Sequence, residues 1–320
     1  MAPGATESPA APRPRPAAAP APSLVQRLGY GLAGLFRPRL GVVPLGQLGL
    51  AGGSASTQAA VRALATGIPM QDAMLCRVLG RYKMLVDPAD RGFAPHLLLD
   101  GFWEWWTTGF LARHLRPGDQ VVEAGACYGY FSLPMAELIG PQGRLTVFEP
   151  NPAAATLLER NLELNGLSGR VRLMRAAVVG ADSSLSAPLL VPAHAPMAAR
   201  LGGLELAGVD GPGADQRVAR VPCRPLDTLA DEAVDWVKLD LQGSAATAWN
   251  GMQRLLERRP HLRVLLAFDP ARTPSPAAFI DEVARRFPLR LLEHDGSLRR
   301  VDTAAVVAGG VRLLYLAPES

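Results

Sequence analysis

Five residues in one short stretch have the types and spacing to do chemistry. Glu123, Gly125, Cys127 and Gly129 fall in VVEAGACYGY, and Glu149 follows in FEPNP. Glycines at 125 and 129 let a backbone turn sharply and come close to a ligand. A dinucleotide-binding turn is written G-x-G-x-x-G, because a pyrophosphate rests on the helix N-terminus that follows. This loop lacks the middle glycine and carries a carboxylate, Glu123, just before the turn. That charge would repel a pyrophosphate and suits a ligand with a cationic group, such as S-adenosylmethionine (SAM). A carboxylate at Glu149 can accept hydrogen bonds from both ribose hydroxyls of an adenosine. The bland alternative for either acid is a solvated loop residue. Further on, VKLDLQG places Lys238 and Asp240 two residues apart, which in a strand puts both on one face.

These residues need elements to hold them. From Gln120 onward, short apolar runs alternate with helical patterns. Val121–Ala124, Arg144–Phe148, Val171–Met174, Val234–Leu239 and Leu262–Phe268 read as strands, with Leu289–Glu293 and Val311–Leu316 as two more. Helices are expected over Tyr128–Ile139, Pro152–Asn165, Ser244–Glu257 and Pro276–Arg286. Such alternation implies a mostly parallel sheet covered on both faces, with its ligand at the carboxyl ends of the strands. Residues 181–222 are irregular and rich in Pro, Gly and Ala, reading as long loops or a hairpin. Residues 1–22, almost all Ala and Pro, read as a disordered tail. Residues 23–118 read as a mainly helical cap, and 119–320 as the catalytic domain.

Composition narrows the classes. The 320 residues can bury a full core, and a net charge of +4 without a basic block argues against nucleic acid. Three scattered cysteines suit neither a disulfide framework nor a zinc site, and fit a reducing cytoplasm. The five histidines show no metal spacing, so no metal is expected. The uncharged stretch from Leu40 to Val61 holds Pro44 and five glycines and fails as a membrane span. The segment Leu24–Leu40 reads as a short core-covering helix, with a membrane-surface helix as the alternative.

The runs VVEAGACYGYFSL, GRLTVFEPNPAAATLLERNLELNG and VKLDLQGSAATAWNGMQRLL resemble, in order and spacing, the FkbM family of SAM-dependent methyltransferases. The resemblance covers about residues 100–270. It implies an α/β, Rossmann-like class I methyltransferase fold, with a seven-stranded sheet whose last strand is antiparallel. It implies SAM as cofactor and methyl transfer to an oxygen, usually a hydroxyl of a sugar, glycan or natural product. On that footing Glu123, Gly125, Ala126, Cys127, Tyr128, Gly129 and Glu149 belong to the SAM site. Asn151 and Ala176 lie near the adenosine, and Glu104 approaches the methionine end.

Several acids of the family pattern are replaced. Where the family writes D-x-G-A-N-x-G, this chain has Glu123 for the acid and Cys127 for the asparagine. Where it writes K-I-D-x-E-G-x-E, the two glutamates are Gln242 and Ala245. A third acid gives way to Ala267. Asp240 remains the first candidate for a general base, with Asp269 and His96 behind it. The expected activity is O-methyl transfer with a relocated base. The alternative is a catalytically degenerate SAM-binding or scaffold protein of the same fold.

Two further expectations concern rare residues. Asp100–Leu115 reads as one helix, with Trp103 and Trp106 packed on the sheet domain and Trp105 exposed, or else serving as a sugar-stacking platform. Of the 33 basic residues only Lys83 and Lys238 are lysines. In so arginine-rich a chain Lys238 needs a local reason. The expected one is an ammonium paired with Asp240 near the cofactor end, or else a buried structural ion pair.

Overall fold

The computed structural model describes residues 41–49, 54–202 and 215–319. The expectations for residues 1–22 and for Leu24–Leu40 lie outside them. In chain order the strands are β1 (Gly67–Pro69), β2 (Met74–Val78), β3 (Tyr82–Val86), β4 (Gln120–Ala124), β5 (Arg144–Phe148), β6 (Val171–Met174), β7 (Ala177–Val178), β8 (Ser186–Pro192), β9 (Arg200–Leu201), β10 (Gln216–Arg224), β11 (Trp236–Leu239), β12 (Arg263–Phe268), β13 (Arg290–Leu292), β14 (Leu298–Arg300) and β15 (Arg312–Leu316).

The large sheet has eight strands in the order β14-β13-β15-β12-β11-β4-β5-β6. Strands β4, β5, β6, β11 and β12 run parallel, and β15 lies antiparallel to β12. This is the class I methyltransferase order with its antiparallel last strand. The eighth strand, β14, adds to the outer edge as a hairpin partner of β13. It is three residues long and exposed along its length, so it carries no apolar run to announce it. The central parallel strands β4, β5, β11 and β12 are buried on both faces, and β6 at the edge is half-buried. Val121 and Trp236 belong to one core, with Phe110 and Leu133, while Val122, Ala124, Val237 and Leu239 belong to the other.

The chain leaves β4 toward β5 and β6, then returns to β11 on the other side of β4. That reversal opens a crevice beyond the carboxyl ends of β4 and β11. Gly125 turns the chain at φ +84°, and a Cβ there would stand 1.9 Å from the Asp240 carbonyl oxygen. Only glycine lets the loop run this close to the end of β11.

The described residues of the cap are more helix than strand, but the cap is not helical throughout. It holds a three-stranded antiparallel sheet, β1-β2-β3, with helices over Ser54–Leu64, Ala94–Leu99 and Trp105–His114. Strands β2 and β3, five residues each, are joined by a three-residue turn, Leu79, Gly80 and Arg81, whose first two residues take positive φ. The helix expected from Asp100 begins at Trp105, because Gly101 and Glu104 both take positive φ. The helix expected over Ser244–Glu257 is two, Ala245–Asn250 and Gln253–Arg258, broken at Gly251. A Cβ at Gly251 would lie 2.0 Å from the Val179 carbonyl oxygen.

With β7, the described residues of the 181–222 region form a second sheet, β7-β10-β8-β9, around the antiparallel pair β8 and β10. Its own small core gathers Ala177, Val179, Leu189, Leu201, Val221 and Cys223.

Candidate functional site

The carboxyl ends of β4, β5 and β11 meet at a cavity of about 880 Å³ of empty space. Gly125, Ala126 and Cys127 line it after β4, Phe148 and Glu149 after β5, and Lys238, Asp240 and Ser244 at and after β11. The second sheet covers it with Leu189, Met197, Arg200 and Leu201.

Glu149 is only 5 % exposed. Its Oε2 accepts the Cys127 backbone N–H at 2.7 Å, and its Oε1 accepts that of Asn151 at 2.8 Å. Burial pushes its carboxyl up to about 7, against the pull of those two donors. Each oxygen can still accept a second bond, a donor-seeking pair that matches a vicinal diol. Asn151 is committed elsewhere. It caps the helix Pro152–Leu164, with Oδ1 accepting from Ala153 N at 3.1 Å.

Lys238 is the centre of an acidic cluster. Parallel pairing of β11 with β4 sets it beside Glu123 in register. Its Nζ lies 3.6 Å from Glu123 Oε1 and 3.6 Å from Asp240 Oδ2, and 4.6 Å from the centre of the Phe131 ring. Side-chain exposure is 4 % for Lys238, none for Glu123 and 32 % for Asp240. Burial works against the ammonium, but Asp240, Glu123 and Glu104 outweigh it and hold Lys238 above its ordinary value. Burial raises Glu123, opposed by Lys238 and by the Ser132 hydroxyl, which donates to Glu123 Oε2 at 2.5 Å. Glu104 is pushed up to about 7, first by burial and then by the charge of Asp240. It sits at φ 37°, ahead of the Trp105 helix, and accepts from Thr107 Oγ1 at 3.0 Å. One ammonium thus faces three carboxyl groups, so the cluster favours a cationic ligand nearby. Neither Lys238 Nζ nor Glu123 Oε1 has a hydrogen-bond partner.

The remaining wall is aromatic. Phe93, Trp103, Tyr130 and Phe131 line it, and Trp103 packs edge-on against Phe93 at 5.4 Å and His96 at 4.9 Å. Asp90, wholly buried, ties this wall together. Its Oδ1 accepts from the amides of Gly92 and Phe93, and its Oδ2 from the Met197 amide.

Of the residues singled out in the sequence, Gly125, Ala126, Cys127, Glu149, Ala176, Lys238 and Asp240 line the cavity. Glu104, Glu123, Tyr128, Gly129 and Asn151 stand outside its wall, with Glu104 and Glu123 acting on it through Lys238. The Lys238–Asp240 pairing is present, and Glu123 joins it. The tryptophan expectation is corrected. Trp105 is 7 % exposed and packs in the core, while Trp103 lines the cavity. With the helix starting at Trp105, helical spacing does not apply to Trp103. Asp269 caps a short turn, accepting from Ala271 N, and pairs with Arg272. Sequence reasoning missed Asp90, which is one loop acid among several, and Arg200, one arginine among many. Lys83 is exposed, and its backbone is clamped by the Asn165 amide. Among the described residues no group of three or more His, Cys, Asp or Glu side chains is set to hold a metal ion, and no helix is long and apolar enough to cross a membrane.

The chain matches the family model described as the methyltransferase FkbM domain over residues 123–284, half of its length. Two curated relatives are protein-L-isoaspartate O-methyltransferases. That of Aeropyrum pernix is 39 % identical over 79 residues, 25 % of this chain and 28 % of the relative. That of Methanopyrus kandleri is 37 % identical over 59 residues, 18 % and 26 % of the two chains. The matches thus span about a quarter of either relative's length. Among solved structures, a SAM-dependent O-methyltransferase from Thermotoga maritima is similar at 14 % identity, covering 79 % of this chain and 84 % of that one, with a TM-score of 0.36. A methyltransferase from Geobacter sulfurreducens is similar at 17 % identity, covering 68 % and 80 %, with a TM-score of 0.35.

Proposed function

Because the chain belongs to the FkbM methyltransferase family, whose cofactor is SAM, we propose that it methylates a hydroxyl oxygen of a sugar, glycan or natural product. The residues present fit the cofactor. Glu149 offers two carboxyl oxygens, each with an unused lone pair, for the ribose hydroxyls. The excess of carboxyl groups around Lys238 favours the cationic sulfonium and ammonium groups. When bound, SAM supplies a methyl group on positively charged sulfur, a leaving group that needs no protonation.

The chain's own work is then to hold an acceptor and take its proton. Asp240 is the cluster member that reaches the cavity while remaining partly exposed, and this observation carries the proposal. Its carboxylate accepts the proton of the acceptor hydroxyl as the new C–O bond forms. Lys238, 3.6 Å away, orients it and steadies its charge before the proton arrives. The aromatic wall excludes water from the reacting oxygen and fixes the acceptor, and such positioning supplies much of the acceleration in a displacement of this kind.

The test is Asp240→Asn. S-adenosylhomocysteine, the demethylated cofactor, should bind the variant within a few-fold of the parent. Methyl transfer across a panel of hydroxyl acceptors should fall by about 10²–10⁴. Undiminished transfer would remove Asp240 as the base.

A second reading has its own observation. Gln242, Ala245 and Ala267 stand where the family pattern carries acids, and Gln242 lies 3.4 Å from Arg272 rather than acting as a base. Binding of S-adenosylhomocysteine by the parent protein, without transfer to any hydroxyl of the panel, would favour a SAM-binding protein that has lost its reaction.

A further inference from the structure

We propose that the acceptor carries an oxyanion, a carboxylate or phosphate, and that Arg200 on the cavity cover selects it. The inference rests on the methyl-transfer reading above and names the substrate class of that same site.

Arg200 opens β9, paired with Leu190 of β8, and its side chain lines the cavity. Its Nε is closed off from solvent and donates to nothing. Among the described residues no carboxylate lies within 4.0 Å of its guanidinium, although the other acids of the wall, Glu149 and Asp240, share the cavity with it. Several other arginines of the described residues pair with an acid. Arg81 pairs with Glu137, Arg172 with Glu232, Arg175 with Glu159 and Arg263 with Asp119. Arg259 and Arg312 also bury an unpartnered Nε, but neither lines this cavity, so Arg200 alone of the three sets such a donor on its wall.

The physical reason is a missing acceptor of hydrogen bonds. A buried donor without a partner costs stability in the folded chain, and that cost is recovered when a ligand supplies the partner. The planar guanidinium presents parallel N–H groups that match carboxylate and phosphate oxygens two at a time. Among the described residues the other cation on the wall is Lys238, which already faces Asp240, Glu123 and Glu104. Around Arg200 the cover is apolar, with Pro196, Met197, Ala199 and Leu201. The aromatic rings of Phe93 and Trp103 line the same cavity. A ligand with an apolar or planar body and one anionic end fits this wall, with the anion at Arg200.

The test uses the full chain saturated with S-adenosylhomocysteine and three probes of one shape: benzoate, phenyl phosphate and neutral benzamide. Calorimetry should give at least one anion an affinity about tenfold or more above that of benzamide. Preference for benzoate identifies a carboxylate, and preference for phenyl phosphate a phosphate. Arg200→Met should erase the preference while leaving S-adenosylhomocysteine affinity unchanged, and Arg200→Lys should restore part of it. Equal binding of anions and amide, or a preference that survives in Arg200→Met, overturns the inference and leaves the methyltransferase reading intact. Loss of S-adenosylhomocysteine binding in Arg200→Met also overturns it, by assigning the arginine to the cofactor carboxylate. Failure of the parent chain to bind S-adenosylhomocysteine removes the reading beneath it as well.

Discussion

Tyr128 donates its phenolic hydroxyl to Asp90 Oδ2 at 3.1 Å, joining the glycine loop after β4 to the loop before the aromatic wall. The same oxygen receives the Met197 amide of the cover at 3.1 Å. One buried carboxyl group therefore fixes three segments that are far apart in sequence and surround the cavity. Asp90→Ala strands four donors, three amides and a phenol. We expect a stability loss of about 2–4 kcal/mol, read as a lower urea midpoint at unchanged slope. A variant within 0.5 kcal/mol of the parent, on the order of a neutral surface change, would show that the clasp is dispensable.

Glu104 and Glu149 give the protein an unusual pH dependence. Both carboxyl groups are pushed up to about 7, chiefly by burial. In the native state each keeps a proton that the unfolded chain has released above about pH 4.5. The native state binds more protons, so stability without ligand falls as pH rises from about 4.5 to 7, by about 1.4 kcal/mol per unit for each group. Urea unfolding across that window should show the decline, and a rise would contradict it.

Cofactor binding should have the opposite slope. Hydroxyl donors favour the ionised form of Glu149, so binding expels its proton below pH 7. Affinity for S-adenosylhomocysteine should climb between about pH 5.5 and 7.5, with proton release visible by calorimetry in buffers of different ionisation enthalpy. Glu149→Gln should flatten the profile and weaken binding by about 1.5–3 kcal/mol, the worth of hydrogen bonds to a charged group.

Removing Lys238 is expected to be severe. Lys238→Met leaves Glu123 wholly buried with no countercharge, at a cost of about 3–5 kcal/mol. Adding Glu123→Gln should recover much of that loss, since the stranded charge is then gone. Additive losses in the double variant would mean that the two residues do not depend on each other.

Cys127 holds φ at 52° on the cavity wall. Asparagine is several-fold enriched in that left-handed region, whereas a thiol side chain gains nothing there. Cys127→Asn should therefore raise stability by about 0.5–1 kcal/mol, part of the cost of a strained backbone position. A lower melting temperature would show that the thiol's packing outweighs the strain.

The cofactor half of the fold was legible because its strands are continuous apolar runs whose ends carry the acids. Lys238 and Asp240, two apart, had to share a face. Their third partner, Glu123, was not legible as such, because spacing along one strand says nothing about register with the next. The acceptor half was read less well. Nothing in DGFWEWW announces that the backbone reverses its handedness at Glu104, and that reversal decides which tryptophan enters the core and which faces the cavity. Strands β2 and β3 are too short for their alternation to stand out. Arg200 carries no sequence signal, since only the absence of a partner distinguishes it.

The excursion that covers the cavity leaves the chain at β7 and returns beside it, with Cys223 and Arg224 paired to Ala177 and Val178. Its two ends are neighbours, so the described residues between them form an excursion off the main sheet. Such a loop can lengthen, shorten or be exchanged without rethreading a single central strand. On the proposed reading, the cavity cover can therefore vary while the strands that carry Glu149, Lys238 and Asp240 keep their order.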